Sequence, residues 1–441
     1  MTGEHLRRQA RKGITRRRLL SSAAAAVAAP YIVPATSLGA AGKAAPSERI
    51  GVAVLGVGSR GSGHLRTMLG RSDAQVLAAC DANQPKADKL AKQVDARYGA
   101  QAGRPGWKGC GSTSDFREVL ARPDVDAVFI AAPENWHAVM AAMAVQAGKD
   151  VYCEKALSLT VAEGRQLCQA VRRYGKVLQV GTQQRSDRRF RHACELAING
   201  YLGKLRRVEV GVPGGRALPV AKPTPVPAGL DYDLWLGPAP HTPHNDLKCT
   251  FNWYFMSDYC AGWIQSWGVH HCDIALWGAP SLLASPLEVS GSAVFPHDGA
   301  ADTSITWNVE FRAADGTEMG FADNKRYGQG VKFIGDKGWV HVRRGRILSE
   351  PASLIQAEIK PTERRLYDSR DHHGNFIECI RTRRDPAAAV ENGHAATTLS
   401  LIADIATRTG RKLKWDWRSE TFGDDDANRY LARAMRSPWA L

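Results

Sequence analysis

The residues Gly56-Val57-Gly58-Ser59-Arg60-Gly61 have the types and spacing of a turn that cradles a pyrophosphate. The first glycine permits a tight turn. The second lets backbone approach the phosphates, and the third allows a helix to pack closely on a strand. A diphosphate there meets the free N–H groups and the positive end of the following helix, at Ser59, Arg60 and Gly61. Alone the pattern is weak, and a plain glycine turn is the ordinary explanation; strand and helix on either side strengthen it. Asp81 stands twenty positions beyond Gly61, at the end of the next apolar run. A carboxylate at that place accepts from the ribose hydroxyls of NAD and repels a 2′-phosphate. Ala82 and Asn83 follow rather than an arginine, so NAD is expected, with NADP as the alternative. A helix N-cap or turn is the plainer role for the same aspartate.

Three further runs carry reactive side chains. Ala131-Ala132-Pro133-Glu134-Asn135-Trp136-His137 ends an apolar run, where open parallel sheets bind ligands, so Pro133, Asn135 and His137 are candidate cofactor contacts. Helix capping is the plain alternative for His137. Tyr152-Cys153-Glu154-Lys155 ends the next run and places Glu154 and Lys155 at the mouth of the sheet. An ammonium there can polarise a substrate hydroxyl and ease its deprotonation. The alternative is a surface lysine. The third run is Trp263–Asp273. If it is one helix, Ser266, His270, Asp273 and Trp277 share a face, with His270 as base and Asp273 nearby. His270 and His271 are adjacent and point apart on a helix, so no spaced metal-ligand set is visible and no metal is expected.

These motifs need strands to end beneath them. Apolar runs at Ile50–Leu55, 75–80, 125–132, 150–154 and 176–181 alternate with helical patterns at 85–98, 137–147 and 160–174. Leu65, Met68 and Leu69 mark a helix after the glycine turn, and Gly99–Gly111 reads as a loop. The alternation predicts a parallel, doubly wound sheet. A helix at 188–199 and a proline-rich stretch at 213–243 follow. From 287 the pattern becomes antiparallel, with runs at 287–295, 303–311 and 319–322, turns at Asp315-Gly316 and Asp336–Gly338, and late helices near 374–383 and 394–409.

Residues 1–45 differ from the rest. Arg7, Arg8, Arg11 and Lys12 precede Thr15-Arg16-Arg17-Arg18-Leu19-Leu20, an alanine-rich apolar run and a small-residue end. That is the form of a twin-arginine export signal, too short in its apolar part to span a bilayer. Export machinery is thus an expected partner and the periplasm an expected location. Six of the fifteen net positive charges lie in residues 1–40. The remainder are mixed with acids and lack a nucleic-acid motif, so no nucleic-acid partner is expected. Nine cysteines, an odd number without a C-x-x-C pair, argue against a disulfide framework.

Taken together the residues resemble the glucose–fructose oxidoreductase / inositol dehydrogenase / rhizopine-catabolism (Gfo/Idh/MocA) family. The resemblance runs from the glycine turn through Glu154-Lys155 and the Trp267–Asp273 segment to Asn428–Trp439, and it is closest to the exported subgroup with a stretch like Asp231–Pro240. It implies a signal and linker over 1–45, a Rossmann domain over 46–183, and an α/β domain over 184–441 with a large open-faced, mostly antiparallel sheet. It also implies that Lys155 matches the lysine of a Glu-Lys-Pro motif and His270 the histidine of an Asp-x-x-x-His motif. Ala156 and Ser266 stand where that pattern has proline and aspartate. The expected activity is hydride transfer between NAD and a secondary alcohol of a sugar, cyclitol or glycoside. His270 would take the proton and Lys155 would stabilise the alkoxide, with Arg185, Trp235, Tyr254, Ser266, His270 and His271 toward substrate. Glycoside cleavage through transient oxidation and a non-catalytic, NAD-loaded binding protein are the alternatives. The cofactor is expected to be tightly bound, and the open sheet to pair copies into a homodimer or homotetramer.

Overall fold

The computed structural model of the chain describes residues 48–441, so the expected export signal lies outside the described residues. Strands β1 (Ile50–Leu55), β2 (Ala74–Cys80), β3 (Gly111–Thr113), β4 (Ala127–Ile130), β5 (Asp150–Cys153) and β6 (Leu178–Val180) form one parallel sheet in the order β3-β2-β1-β4-β5-β6. Helices α1 (Ser59–Leu69), α2 (Gln84–Ala102), α3 (Phe116–Leu120), α4 (Glu134–Gln146) and α5 (Val161–Arg173) connect them. The order reverses between β1 and β4, so a crevice opens at the carboxyl ends of those strands.

Three details depart from the sequence expectation. Helix α2 runs four residues past Tyr98, because Gly99 packs inside it near Trp107 and the left-handed Gly103 (φ +62°) ends it. Helix α4 begins at Glu134 rather than His137, since Pro133 is its extended N-cap. The short β3 and α3 carry too few residues to show a period.

The second domain is built on a sheet of nine strands. Helix α6 (Arg188–Ile198) leads into β7 (Leu205–Val212), which the sequence reading missed. Strands β8 (Leu287–Val294), β9 (Thr306–Arg312), β10 (Glu318–Asp323), β11 (Gly330–Gly335), β12 (Gly338–Arg343), β13 (Arg346–Glu350), β14 (Leu413–Asp416) and β15 (Thr421–Phe422) complete it. The order is β13-β12-β11-β7-β10-β9-β8-β14-β15, and only β7 and β10 pair in parallel. One face packs on helices α7 (Trp263–Ser266), α8 (Gly268–Gly278) and α10 (Val390–Thr409), through Val208, Phe321, Phe333, Ile274 and Leu399. The other face carries a charge ladder in which Arg207 meets Glu310 and Glu318. Helix α9 (His372–Thr382) returns to the first domain and buries Phe376 and Ile377 beside Phe129.

Residues 213–262 form an irregular strap with a short helix at Tyr232–Leu236 and its own apolar cluster of Leu236, Phe255, Met256 and Tyr259. The strap is pinned to the crevice by backbone. Gln84 N donates to Gly229 O (2.9 Å) and Asp231 N to Ala82 O (2.8 Å). Trp136 Nε1 donates to Leu234 O and Asn135 Nδ2 to Leu236 O, both at 3.0 Å.

Candidate active site

The glycine turn has the shape its sequence requires. Gly56 has φ +84°, and a Cβ on it would press on the Ala131 backbone. A Cβ on Gly61 would overlap the Gly56 carbonyl oxygen, so this glycine lets α1 close on β1. Gly58 is the opposite case: a Cβ there would meet nothing within 4 Å. Gly58 also caps α1 without a side-chain bond, so the first-turn N–H groups of Ser59, Arg60 and Gly61 are left for a ligand. Asp81 is fixed beside them: its Oδ2 accepts from Val57 N (2.8 Å) and its Oδ1 from Asn83 N (2.9 Å). Both oxygens keep lone pairs for ribose hydroxyls. Open space at the second glycine, free helix N–H groups and a pinned carboxylate fit NAD. They line a cavity of about 650 Å³, whose far wall is the strap residues Trp235, Cys249, Trp253 and Tyr254.

Strand β5 delivers Glu154 and Lys155 to the same cavity. Glu154 is buried, and its Oε1 accepts from Arg60 Nε (2.6 Å) and His64 Nε2 (2.9 Å). Burial alone would raise its pKa, but the His64 hydrogen bond and the Arg60 charge hold it well below the usual carboxylate range. Lys155 Nζ donates to Ser266 Oγ at 2.7 Å, stands 3.8 Å from Glu134 Oε1 and lies 5.5 Å from the Tyr254 ring. Burial pulls its pKa down, but Tyr254, Glu134 and Glu154 together raise it, so it stays an ammonium. Ser266 therefore holds Lys155 where the family pattern has a carboxylate.

The segment after the strap corrects one expectation. A single residue, Trp267, separates α7 from α8, and its backbone stays right-handed helical. Asp273 does not support His270: Arg185 holds it through Nε and Nη2, at 2.8–2.9 Å, and the guanidinium lies 4.9 Å from the Trp277 ring. His270 Nδ1 has no hydrogen-bond partner among the described residues. Burial, then Lys155 and Arg344, push the His270 pKa well below 6.5, so the ring is neutral.

Other candidates divide in the same way. Trp235, Tyr254, Pro133 and His137 line the cavity. His137 also ties two strand ends, with its ring nitrogens 2.5 Å from Ala156 O and 2.9 Å from Ala132 O. Asn135 is buried off the cavity wall and holds the strap, which replaces its expected cofactor contact. Arg185 is sealed in its ion pair rather than turned to substrate. His271 is buried, with Nδ1 2.9 Å from Gly211 O. Neither Ser266 nor His270 is on the cavity wall; Ser266 is joined to it through Lys155. Glu134 was missed, although it sits between two chosen residues; its buried carboxylate faces Lys155 and accepts from Ala156 N (3.3 Å). Arg344 was also missed, and no motif marks it.

Comparison with known proteins gives a consistent result for both domains. Residues 50–182 match the Gfo/Idh/MocA model described as oxidoreductase family, NAD-binding Rossmann fold, and residues 215–441 match that family's C-terminal alpha/beta domain. The chain is 23% identical over 383 residues to myo-inositol 2-dehydrogenase of Thermotoga maritima, covering 82% of this chain and 98% of that protein. It is 33% identical over 151 residues to a glycosyl hydrolase family 109 protein of Stenotrophomonas maltophilia, covering 34% of this chain and 31% of that protein. The fold is shared with the aldose-aldose oxidoreductase of Caulobacter crescentus, at TM-score 0.59 and 19% identity over 83% of this chain and 99% of that one.

Proposed function

The chain belongs to the Gfo/Idh/MocA oxidoreductase family, and from that premise we propose that it oxidises a secondary alcohol of a sugar, cyclitol or glycoside. The observation that carries this reading is Lys155, a buried ammonium held by Ser266 Oγ in the same cavity as the glycine turn and Asp81. NAD, when bound, supplies the nicotinamide carbon that accepts the hydride. The chain's own groups handle the proton. Lys155 stabilises negative charge developing on the substrate oxygen. His270, kept neutral, accepts the hydroxyl proton. Tyr254, Glu134 and the anionic Glu154, which Arg60 and His64 fix, together keep the Lys155 ammonium charged.

The strap favours a second reading. Four backbone-anchored contacts tie it to Ala82, Gln84, Asn135 and Trp136 beside the cavity, an arrangement that would oppose cofactor exchange. A cofactor that stays in place suits a redox-neutral reaction, in which a glycoside is oxidised transiently, eliminated and reduced again. The local similarity to a glycosyl hydrolase family 109 protein agrees with that chemistry.

We extend the proposal to export through the twin-arginine route, supported by Arg16-Arg17 and the apolar run after them. Pairing of the open sheet face into a homodimer or homotetramer is part of the same reading, and light scattering of the purified protein tests it. The decisive experiment is mass spectrometry of what the denatured protein releases, followed by absorbance assays on a panel of sugars and cyclitols. NADH formation that disappears in Lys155→Ala supports dehydrogenation. Glycoside cleavage without added NAD supports the second reading. Full turnover by Lys155→Ala sinks both.

A further inference from the structure

The hairpin joining β12 to β13 has the sequence Arg343-Arg344-Gly345-Arg346, turned by Gly345 at φ +78°. Arg343 and Arg346 are direct cross-strand partners. Like charges placed opposite each other destabilise a hairpin, and none of the three arginines has an ion-pair partner among the described residues. Other arginines of the cleft, the seam and the sheet are paired: Arg60 holds Glu154, Arg185 holds Asp273 and Arg207 holds Glu310. The hairpin tip is therefore a concentration of uncompensated positive charge.

Arg344 directs that charge to the reaction centre. Its guanidinium lies 4.7 Å from the centre of the Trp267 ring, and Trp267 is 5.6 Å from the His270 ring. Trp267 directly follows Ser266, whose hydroxyl holds Lys155. The guanidinium is thus one aromatic ring away from the proton acceptor and next to the residue that anchors the ammonium. The charged and titratable groups that act on it or on His270 are Arg60, Lys155, His271 and Glu154, so only one of them is an acid. Partial burial of its guanidinium and then the Arg60 charge lower the Arg344 pKa, and the Glu154 charge does not offset them. Stacked on an aromatic face, an arginine keeps its planar fork free for bidentate pairing with carboxylate or phosphate.

We propose that Arg344 is a specificity residue that receives an anionic substituent of the substrate, so that the oxidised alcohol belongs to an acidic sugar. This rests on the hydride-transfer reading of the same cleft. A carboxylate or a phosphate ester meets the same fork, and the two are separated by experiment.

The test uses the full chain with the cofactor it retains. Calorimetric titration compares glucuronate, glucose 6-phosphate and glucose. One charge-assisted hydrogen-bonded pair is worth roughly tenfold to hundredfold in affinity, so at least one acid should bind about tenfold more tightly than glucose. That ratio should shrink toward one in Arg344→Gln, return in part in Arg344→Lys, and fall with added salt. The exposed hairpin tip lets both variants fold, and their melting curves check it. The favoured acid identifies the anion. Equal binding of all three sugars overturns the proposal, as does a preference that survives in Arg344→Gln. Preferential binding through Arg344 with no NADH formed from any sugar upholds the anion site and counts against hydride transfer alone.

Discussion

Two arginine–carboxylate pairs with similar closest distances occupy different regions of this molecule. At the cofactor mouth Arg60 Nε meets Glu154 Oε1 at 2.6 Å, and at the domain seam Arg185 Nη2 meets Asp273 Oδ1 at 2.8 Å. The Arg60 side chain is 49% exposed, whereas Arg185 is 7% exposed and Asp273 1%. The first pair is half open to a ligand, and part of its donor set is unspent. The second is sealed, its forks are filled and nothing can reach it. The same chemistry is thus a binding element in one place and a brace in the other, and burial decides which.

That comparison breaks most visibly at the brace. Replacing one member of a buried pair leaves the other charged and alone, which costs about 3–5 kcal/mol. Arg185→Met should lower stability by that amount in urea unfolding, while the folded fraction still carries its cofactor. A change below about 1 kcal/mol would return Arg185 to the list of substrate contacts, since exposed pairs are worth that little.

The mouth should fail in the opposite sense. Lys155→Met removes the ammonium but keeps the length of the side chain. We expect hydride transfer to drop by about 10²–10³-fold, the range of a positioned acid–base or charge-stabilising group, with a melting temperature near that of the parent. Equal loss of stability and rate would make Lys155 a brace as well.

What the sequence disclosed follows the same division. The glycine turn, Asp81, Glu154 and Lys155 were legible because a parallel sheet offers ligands its strand ends, and each of these residues sits within a few positions of one. The six strands of the first sheet were legible except β3, whose three residues lack a period. The partner of Asp273 was not legible. Helical spacing placed it beside His270, but Arg185 reaches it from 88 positions away. Asn135 and Arg344 failed for the same reason. The strap that claims Asn135 and the hairpin that brings Arg344 over Trp267 are tertiary placements, and no local pattern encodes them. β7 was missed because Arg206, Arg207 and Glu209 break up its apolar run.

Burial that seals a brace also strips protons from histidines, and this gives a smaller effect. Burial pushes His271 and His372 down to about 4 from an ordinary 6.5. Both are neutral in the folded chain, whereas the unfolded chain protonates them near pH 6.5. Their contribution is therefore fully present above pH 6.5 and is lost as the pH falls toward 4. At pH 5 each such ring lowers stability by about 2 kcal/mol relative to neutral pH. Unfolding free energies measured at pH 7 and pH 5 should differ accordingly, and His271→Asn should flatten the slope. An unchanged slope would mean that water reaches the ring and that the seam is looser than the mouth.

The smallest effect sharpens the mouth itself. Asp81 is held by two backbone N–H groups, from Val57 and Asn83, so its position is set by the turn and not by its charge. Asp81→Asn keeps one acceptor for those donors and removes the negative charge that a 2′-phosphate would meet. NAD affinity should fall by about tenfold, the worth of one hydrogen bond to a charged group. NADP affinity should not fall, because the repulsion of its 2′-phosphate is gone, but without an arginine at position 82 or 83 to attract the phosphate it should gain little. Competition titrations of the two cofactors on refolded, cofactor-free protein read the ratio directly. If NAD binding is unchanged, the carboxylate serves the turn alone, and the ribose is held instead by the strap that crosses Ala82 and Asn83. Gly229→Pro would then be the more damaging change, since it alters the strap segment whose carbonyl meets Gln84 N.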